Sequence, residues 1–154
     1  MKRICLLTIA MLFIGSVTSQ SISKTTSVFS KMYNYVDVKK TYENDSLIEI
    51  NMVWFARNAK YQSIVDLLTV FRGDPSDMLQ LIDYMIQFNA EQDVDVSTTV
   101  HDLYLSNSKT MGMKYLYIGI GSGYISLMPK TLKGIQTAVT NWINSDKDYQ
   151  LELE

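Results

Sequence analysis

The chain has 154 residues, 47% of them hydrophobic and 11% aromatic, which is a folding composition and not a disordered one. Its 14 Lys and Arg stand against 16 Asp and Glu, a formal net charge of −2, and no block of basic residues occurs, so the electrostatic footprint of a nucleic-acid or anionic-membrane binder is missing. One cysteine and one histidine exclude a disulfide framework and a multi-histidine metal centre.

Lys2 and Arg3 precede an apolar-leaning run, ICLLTIAMLFI, which gives way to GSVTSQ. A positive start, a short apolar core and a small-residue exit are the three parts of a secretory signal peptide. The run is shorter than the roughly 20 residues that cross a bilayer. Cleavage is expected after Ser19, leaving Gln20 as the new first residue. The alternative is an uncleaved membrane anchor. Cys5 lies inside this segment, so the exported chain from Gln20 onward would carry no cysteine. That suits a bacterial envelope or extracellular space, where folding does not depend on disulfides. Without Lys2 and Arg3, 12 basic residues face 16 acidic ones, a net charge of −4.

Residues 20–34, rich in Ser, Thr and Lys, read as a mobile arm leading into a single domain over 35–154. Val36, Val38 and Tyr42 alternate along one segment, and Ile48, Ile50, Met52 and Trp54 along the next. Glu43 to Ser46 supply turn residues between them, which predicts a hairpin with one buried face. FARNAK, residues 55–60, reads as a break. Residues 63–71 have helical spacing in Ile64, Leu67, Leu68 and Phe71. They are short, though, rich in β-branched residues, and end at Gly73, so a central strand is expected.

Asp74, Pro75 and Asp77 form a helix-start signal. Met78, Leu81, Ile82, Met85 and Ile86 then trace an apolar stripe, predicting a helix over 75–90. EQDVD, residues 91–95, is an acidic linker. Residues 98–106, 113–120 and 124–127 read as strands. Pro129 opens a second helix, with Leu132, Ile135, Val139, Trp142 and Ile143 on one face. Tyr149, Leu151 and Leu153 alternate in a short final strand. The order is β-β-β-α-β-β-β-α-β: an α+β protein with a mainly antiparallel sheet of about five to seven strands and two helices on one face. No internal sequence repeat is evident.

YIGIGSGY, residues 117–124, is the stretch closest to a chemical motif. A dinucleotide loop would need a glycine where Tyr124 stands, and a helix after it. A Walker loop would need Gly-Lys-Ser/Thr. A nucleophile elbow on Ser122 would need glycines at the positions of Ile120 and Tyr124. The stretch is therefore expected to turn the chain at Gly121-Ser122-Gly123. Gly119 would be a close-packed or bulged strand position.

His101 is expected on a strand, with Asp102 pointing to the opposite face. Asp93 and Asp95, like Asp146 and Asp148, resemble fragments of a calcium loop but lack the Gly and Glu that complete one. Their plainer role is a solvated acidic turn. His101, Asp102, Asp93 and Asp95 are the weak catalytic candidates. Tyr115, Tyr117 and Tyr124 are the candidate binding residues, because tyrosine joins an apolar ring to a hydrogen-bonding tip. The plainer role for these rings is packing against cross-strand neighbours. Asn44-Asp45-Ser46 matches an N-glycosylation sequon.

These features point to an exported, periplasmic or extracellular module that binds a protein or a glycan. It would need no cofactor, no metal and no nucleic acid, and its exported chain would carry no transmembrane segment. The alternatives are a small carboxylate-dependent envelope hydrolase and a structural module that dimerises through an edge strand.

Overall fold

The computed structural model describes residues 22–31, 34–42, 46–58, 60–61 and 65–152. The expected signal peptide and its Cys5, Gln20, Asn44 of the sequon, and Leu153 lie outside these residues. The elements run β1 (Ile22–Lys31), β2 (Asn34–Tyr42), β3 (Ser46–Asn58), β4 (Val65–Gly73), α1 (Pro75–Glu91), β5 (Ser97–Val100), β6 (Leu103–Thr110), β7 (Met113–Ile120), β8 (Gly123–Leu127), α2 (Pro129–Ser145) and α3 (Lys147–Glu152). The protein is α+β, with its strands and two long helices in the expected alternation. Eight strands are present among the described residues, not five to seven.

Strands β1 to β4 form one antiparallel meander and β5 to β8 a second. Each meander ends in a long helix, so one architectural unit, ββββα, occurs twice although no sequence repeat announces it. The two sheets join where β3 runs past the end of β2 and pairs with β8 through Arg57↔Tyr124 and Asn58↔Gly123. The expected break at residues 55–60 is thus, as far as Asn58, the continuation of a long strand that links the two halves.

Both helices pack on one face of this combined sheet and against each other. Alternation along the strands sends Val36, Val38, Ile50, Met52 and Trp54 from the first sheet into the core. Leu103, Leu105, Leu116, Ile118 and Leu127 enter from the second. Met78, Leu81, Ile82 and Met85 of α1 meet them, with Leu132, Ile135 and Val139 of α2. Each such side chain contributes roughly 1.5–3 kcal/mol by leaving water.

The expected mobile arm is largely strand β1, paired with β2 over its length. Its Ser, Thr and Lys content is that of an edge strand, where lysine discourages further pairing. A bulge between Ser27 and Phe29 breaks the register, and both Val28 and Phe29 reach the core. The Phe29 ring rests on Gly134 of α2. The expected final strand is also corrected, because residues 147–152 form α3. Asp146 Oδ1 accepts from the Tyr149 backbone N–H at 3.1 Å and starts this turn. That rotation buries Tyr149, which is 2% exposed, beside Trp142 with ring centroids 5.5 Å apart.

Residues 98–106 were expected as one strand, but two strands and a hairpin turn occupy them. Val100 pairs with Leu103, leaving His101 and Asp102 as a two-residue loop with φ of 46° and 62°. Two left-handed residues in succession match the twist of a β-hairpin. Asp and His enter that region more readily than most residues.

Two polar devices set where α1 begins and ends. At its start, Asp74 Oδ1 accepts from the Ser76 N–H at 2.7 Å, from the Ser76 hydroxyl at 2.6 Å and from the Tyr149 hydroxyl at 3.2 Å. Burial pushes the Asp74 carboxyl upward, but these bonds outweigh it and hold the group below its ordinary value. At its end, buried Asn107 of β6 reaches across from the sheet. Its Nδ2 donates to the carbonyls of Phe88 at 3.2 Å and Gln92 at 3.0 Å, and its Oδ1 accepts from Asn89 Nδ2 at 2.7 Å. A helix end leaves carbonyls without intrahelical partners, and Asn107 supplies donors to them inside the core.

Candidate functional site: the outer face of the second sheet

The glycine stretch turns the chain as expected. Ile120 pairs with Gly123, and Gly121 and Ser122 form the two-residue loop between β7 and β8. Gly121 has φ of +54° and Ser122 is not left-handed, the pattern of a hairpin with glycine at the first loop position. The expectation for Gly119 is corrected. It holds regular register with Tyr104 and Tyr124, without a bulge. A Cβ there would meet neighbours only at 3.6 Å, an ordinary contact. The crowded glycine is Gly123, where a Cβ would fall 2.3 Å from Leu68 Cδ1.

Since Leu116 and Ile118 point to the helices, Tyr115, Tyr117 and Gly119 face the other way. Register carries this outer face across the sheet. One row runs Thr99–Tyr104–Gly119–Tyr124, and the next runs Ser97–Ser106–Tyr117–Ser126. Ser108 and Tyr115 pair in the row beyond. No charged residue falls on the outer-face positions of β5 to β8.

Three of these tyrosines gather around Gly119. Tyr117 and Tyr124 stack with centroids 5.3 Å apart, and Tyr104 meets Tyr117 edge to face at 6.3 Å. Gly119, lacking a side chain, leaves the space over which they lean. Tyr104 is 46% exposed, and Tyr117 and Tyr124 are half-buried. Burial raises the Tyr117 phenol above its ordinary value, with Tyr124 and Tyr104 adding to the effect. The group therefore stays protonated, able both to donate and to accept, across the physiological range.

Of the sequence-derived binding candidates, Tyr117 and Tyr124 are brought together, and Tyr115 shares their face one row away. Tyr104 was missed as a site residue. Its neighbours could be found only once residues 101–102 were recognised as a turn that sets the register of β6 against β7.

The outer face of the first sheet differs. It carries Asp37, Lys39, Glu49 and Arg72, the last two bonded at 2.7 Å. The Arg72 hydrogen bond holds Glu49 below the usual carboxylate range. Nearer the junction, Tyr35 meets Phe55 edge to face at 5.7 Å, and Val65 and Leu67 of β4 are largely exposed.

The weak catalytic candidates are not assembled. Asp95 precedes the four-residue strand β5 and His101 follows it, so roughly 13 Å of strand lies between them. Asp93 and Asp95 lie beside Asn107, the former through its carbonyl and the latter through its N–H. His101 borders a groove of about 530 Å³, along with Phe71, Arg72, Asp77 and Tyr84. Asp146, one of the other acidic pair, is engaged with Lys40 at 2.5 Å. Among the described residues no cluster of His, Cys, Asp and Glu could hold a metal. None of the described helices is long and apolar enough to cross a membrane. Comparison with protein families and with curated proteins finds no match for this chain.

Proposed function

We propose that this protein is an exported binding module of the cell envelope or extracellular space, without catalysis of its own. Its ligand, a protein or a glycan, would lie on the outer face of β5 to β8. The observation that supports this is the tyrosine cluster on a sheet face that neither helix covers. Rings of this kind supply broad contact area at low entropic cost and keep a polar tip for orientation. The separation of His101 from Asp93 and Asp95 speaks against the hydrolase alternative. The helical turn at residues 147–152 removes the terminal strand through which edge pairing was envisaged.

The test is co-purification from the native envelope. Chain from residue 20 onward, which includes every described element, would be compared with a Tyr104→Ala, Tyr117→Ser double variant of the same fold. A macromolecule retained by the first and lost by the second is the expected result. Equal retention of the same material by both would end the assignment of this face.

A further inference from the structure

We propose that the outer face of β5 to β8 binds a neutral carbohydrate chain, a conclusion that rests on reading this face as the binding surface. The argument is from what lines it. Ser97, Ser106, Tyr117 and Ser126 form one row across the four strands, so every position in that row ends in a hydroxyl. The neighbouring row offers Thr99, Tyr104 and Tyr124 around the gap at Gly119. A sugar ring has the complementary surface: C–H groups across its face and hydroxyls around its rim. The C–H face suits the π surface of a tyrosine ring. The rim suits serine, threonine and tyrosine hydroxyls, each able to donate and accept.

Charge narrows the choice. An anionic polysaccharide or a nucleic acid would call for Lys or Arg on the face, and β5 to β8 place none there. The nearest such position by register is Arg57 of β3, at the border with Tyr124. A protein partner of ordinary composition would favour an apolar centre with arginine among its anchors. Apart from its tyrosines, this face exposes one large apolar side chain, Met113, at the end of β7 away from the cluster, whereas Phe55, Val65 and Leu67 belong to the first sheet, on the far side of that border. The uncharged hydroxyl-bearing rows fit a neutral polyol best. Tyr104, the most exposed of the three clustered rings, is the one on which a sugar would lie. Tyr117 and Tyr124, fixed by stacking, would orient it.

Native affinity electrophoresis provides the test, with the chain from residue 20 run through gels containing dextran, a neutral β-glucan, a neutral mannan or dextran sulfate. Retardation by at least one neutral polymer, unchanged in high salt, is expected. Tyr104→Ala, and separately Ser126→Asp at an exposed position, would each weaken it about tenfold or more. Matching tryptophan fluorescence and circular dichroism would show that both variants fold. No retardation by any neutral polymer, retardation by dextran sulfate alone, or variants retarded as strongly as the parent chain would overturn the proposal. A photo-crosslinker at position 126, used in the native envelope, separates the two levels. A protein captured there and lost with Tyr104→Ala would end the carbohydrate assignment while the binding face stands. Capture of nothing, together with unretarded migration, would end both.

Discussion

Asn107→Ala is expected to destabilise the fold by about 3 kcal/mol, and the figure follows from its partners. Asn107 donates to the carbonyls of Phe88 at 3.2 Å and Gln92 at 3.0 Å, reaches Asp93 O at 3.4 Å, and accepts from Asn89 at 2.7 Å. Three sound bonds at about 1 kcal/mol each give the total. The carbonyls are not fully orphaned, because Phe88 O also accepts from the Gln92 N–H and Gln92 O from Lys114. Asn89, however, is 3% exposed, and its lost acceptor keeps the cost near the full sum. Asn107→Asp sharpens the test. It retains the acceptor for Asn89 but turns a carboxylate toward carbonyls at the negative end of α1. Burial and those carbonyls would raise its folded-state pKa above the unfolded value of about 3.9. The added penalty is therefore absent below the unfolded pKa, grows as pH rises toward the folded pKa, and is constant above it. Urea unfolding followed by tryptophan fluorescence measures both variants at neutral and acid pH. An Asn107→Ala cost under about 1 kcal/mol, or an Asn107→Asp variant no worse than Asn107→Ala at neutral pH, would refute this account of the α1 terminus.

Three further substitutions probe other links. Gly134→Ala is expected to raise stability by up to about 1 kcal/mol through helix propensity, because the new Cβ would meet the Phe29 ring at an ordinary 3.4 Å; a loss of stability in thermal unfolding would contradict it. Gly123→Ala is expected to cost about 1–2 kcal/mol by overpacking Leu68, and less in a Leu68→Ala background; identical costs in the two backgrounds would show that the clash is not what matters. Asp74→Ala is expected to cost about 1 kcal/mol as a lost helix cap. The folded pKa of Asp74 is lowered, so its contribution is present above the unfolded pKa and fades as pH falls through the folded one. The Ala variant should accordingly converge on the parent protein in acid, and a constant difference across that range would count against the carboxylate's role.

Legibility in the sequence followed the strength of the local signal. Alternation at Ile48, Ile50, Met52 and Trp54, and the Asp74-Pro75 start before an apolar stripe, each named one element and one buried face. Residues 63–71 were readable as a strand from Val65 onward despite helical spacing, through their β-branched content and the glycine at the end. The expected central position is corrected: among the described residues β4 pairs only with β3 and lies at a sheet edge. Strand β1 was hidden because an edge strand with two largely polar faces has the composition of a linker. Residues 149–152 were misread because so few residues satisfy either period, and the contacts that decide the matter lie outside the segment: Trp142 on the preceding helix and Asp74, 75 residues from Tyr149 in the chain. At His101 and Asp102 the turn lacks glycine, the usual sign of left-handed residues, and one strand was expected where two occur.

That missed turn bears directly on the candidate site. A residue's face is fixed by alternation, but its neighbours on that face are fixed by register. Register between β6 and β7 begins at the two-residue loops on either side of β6. Tyr115, Tyr117 and Tyr124 could be assigned to an uncovered face from alternation alone. That Tyr104 stands opposite Gly119, and that Ser106 and Ser126 flank Tyr117, depends on where those loops fall. A single-residue slip would reverse each side chain of β6, sending Leu103 and Leu105 outward and Tyr104 into the core. The burial of those two leucines therefore fixes the register, and the register composes the hydroxyl rows. The surface on which a ligand would rest is in this sense a consequence of core packing on the opposite side of the same strands.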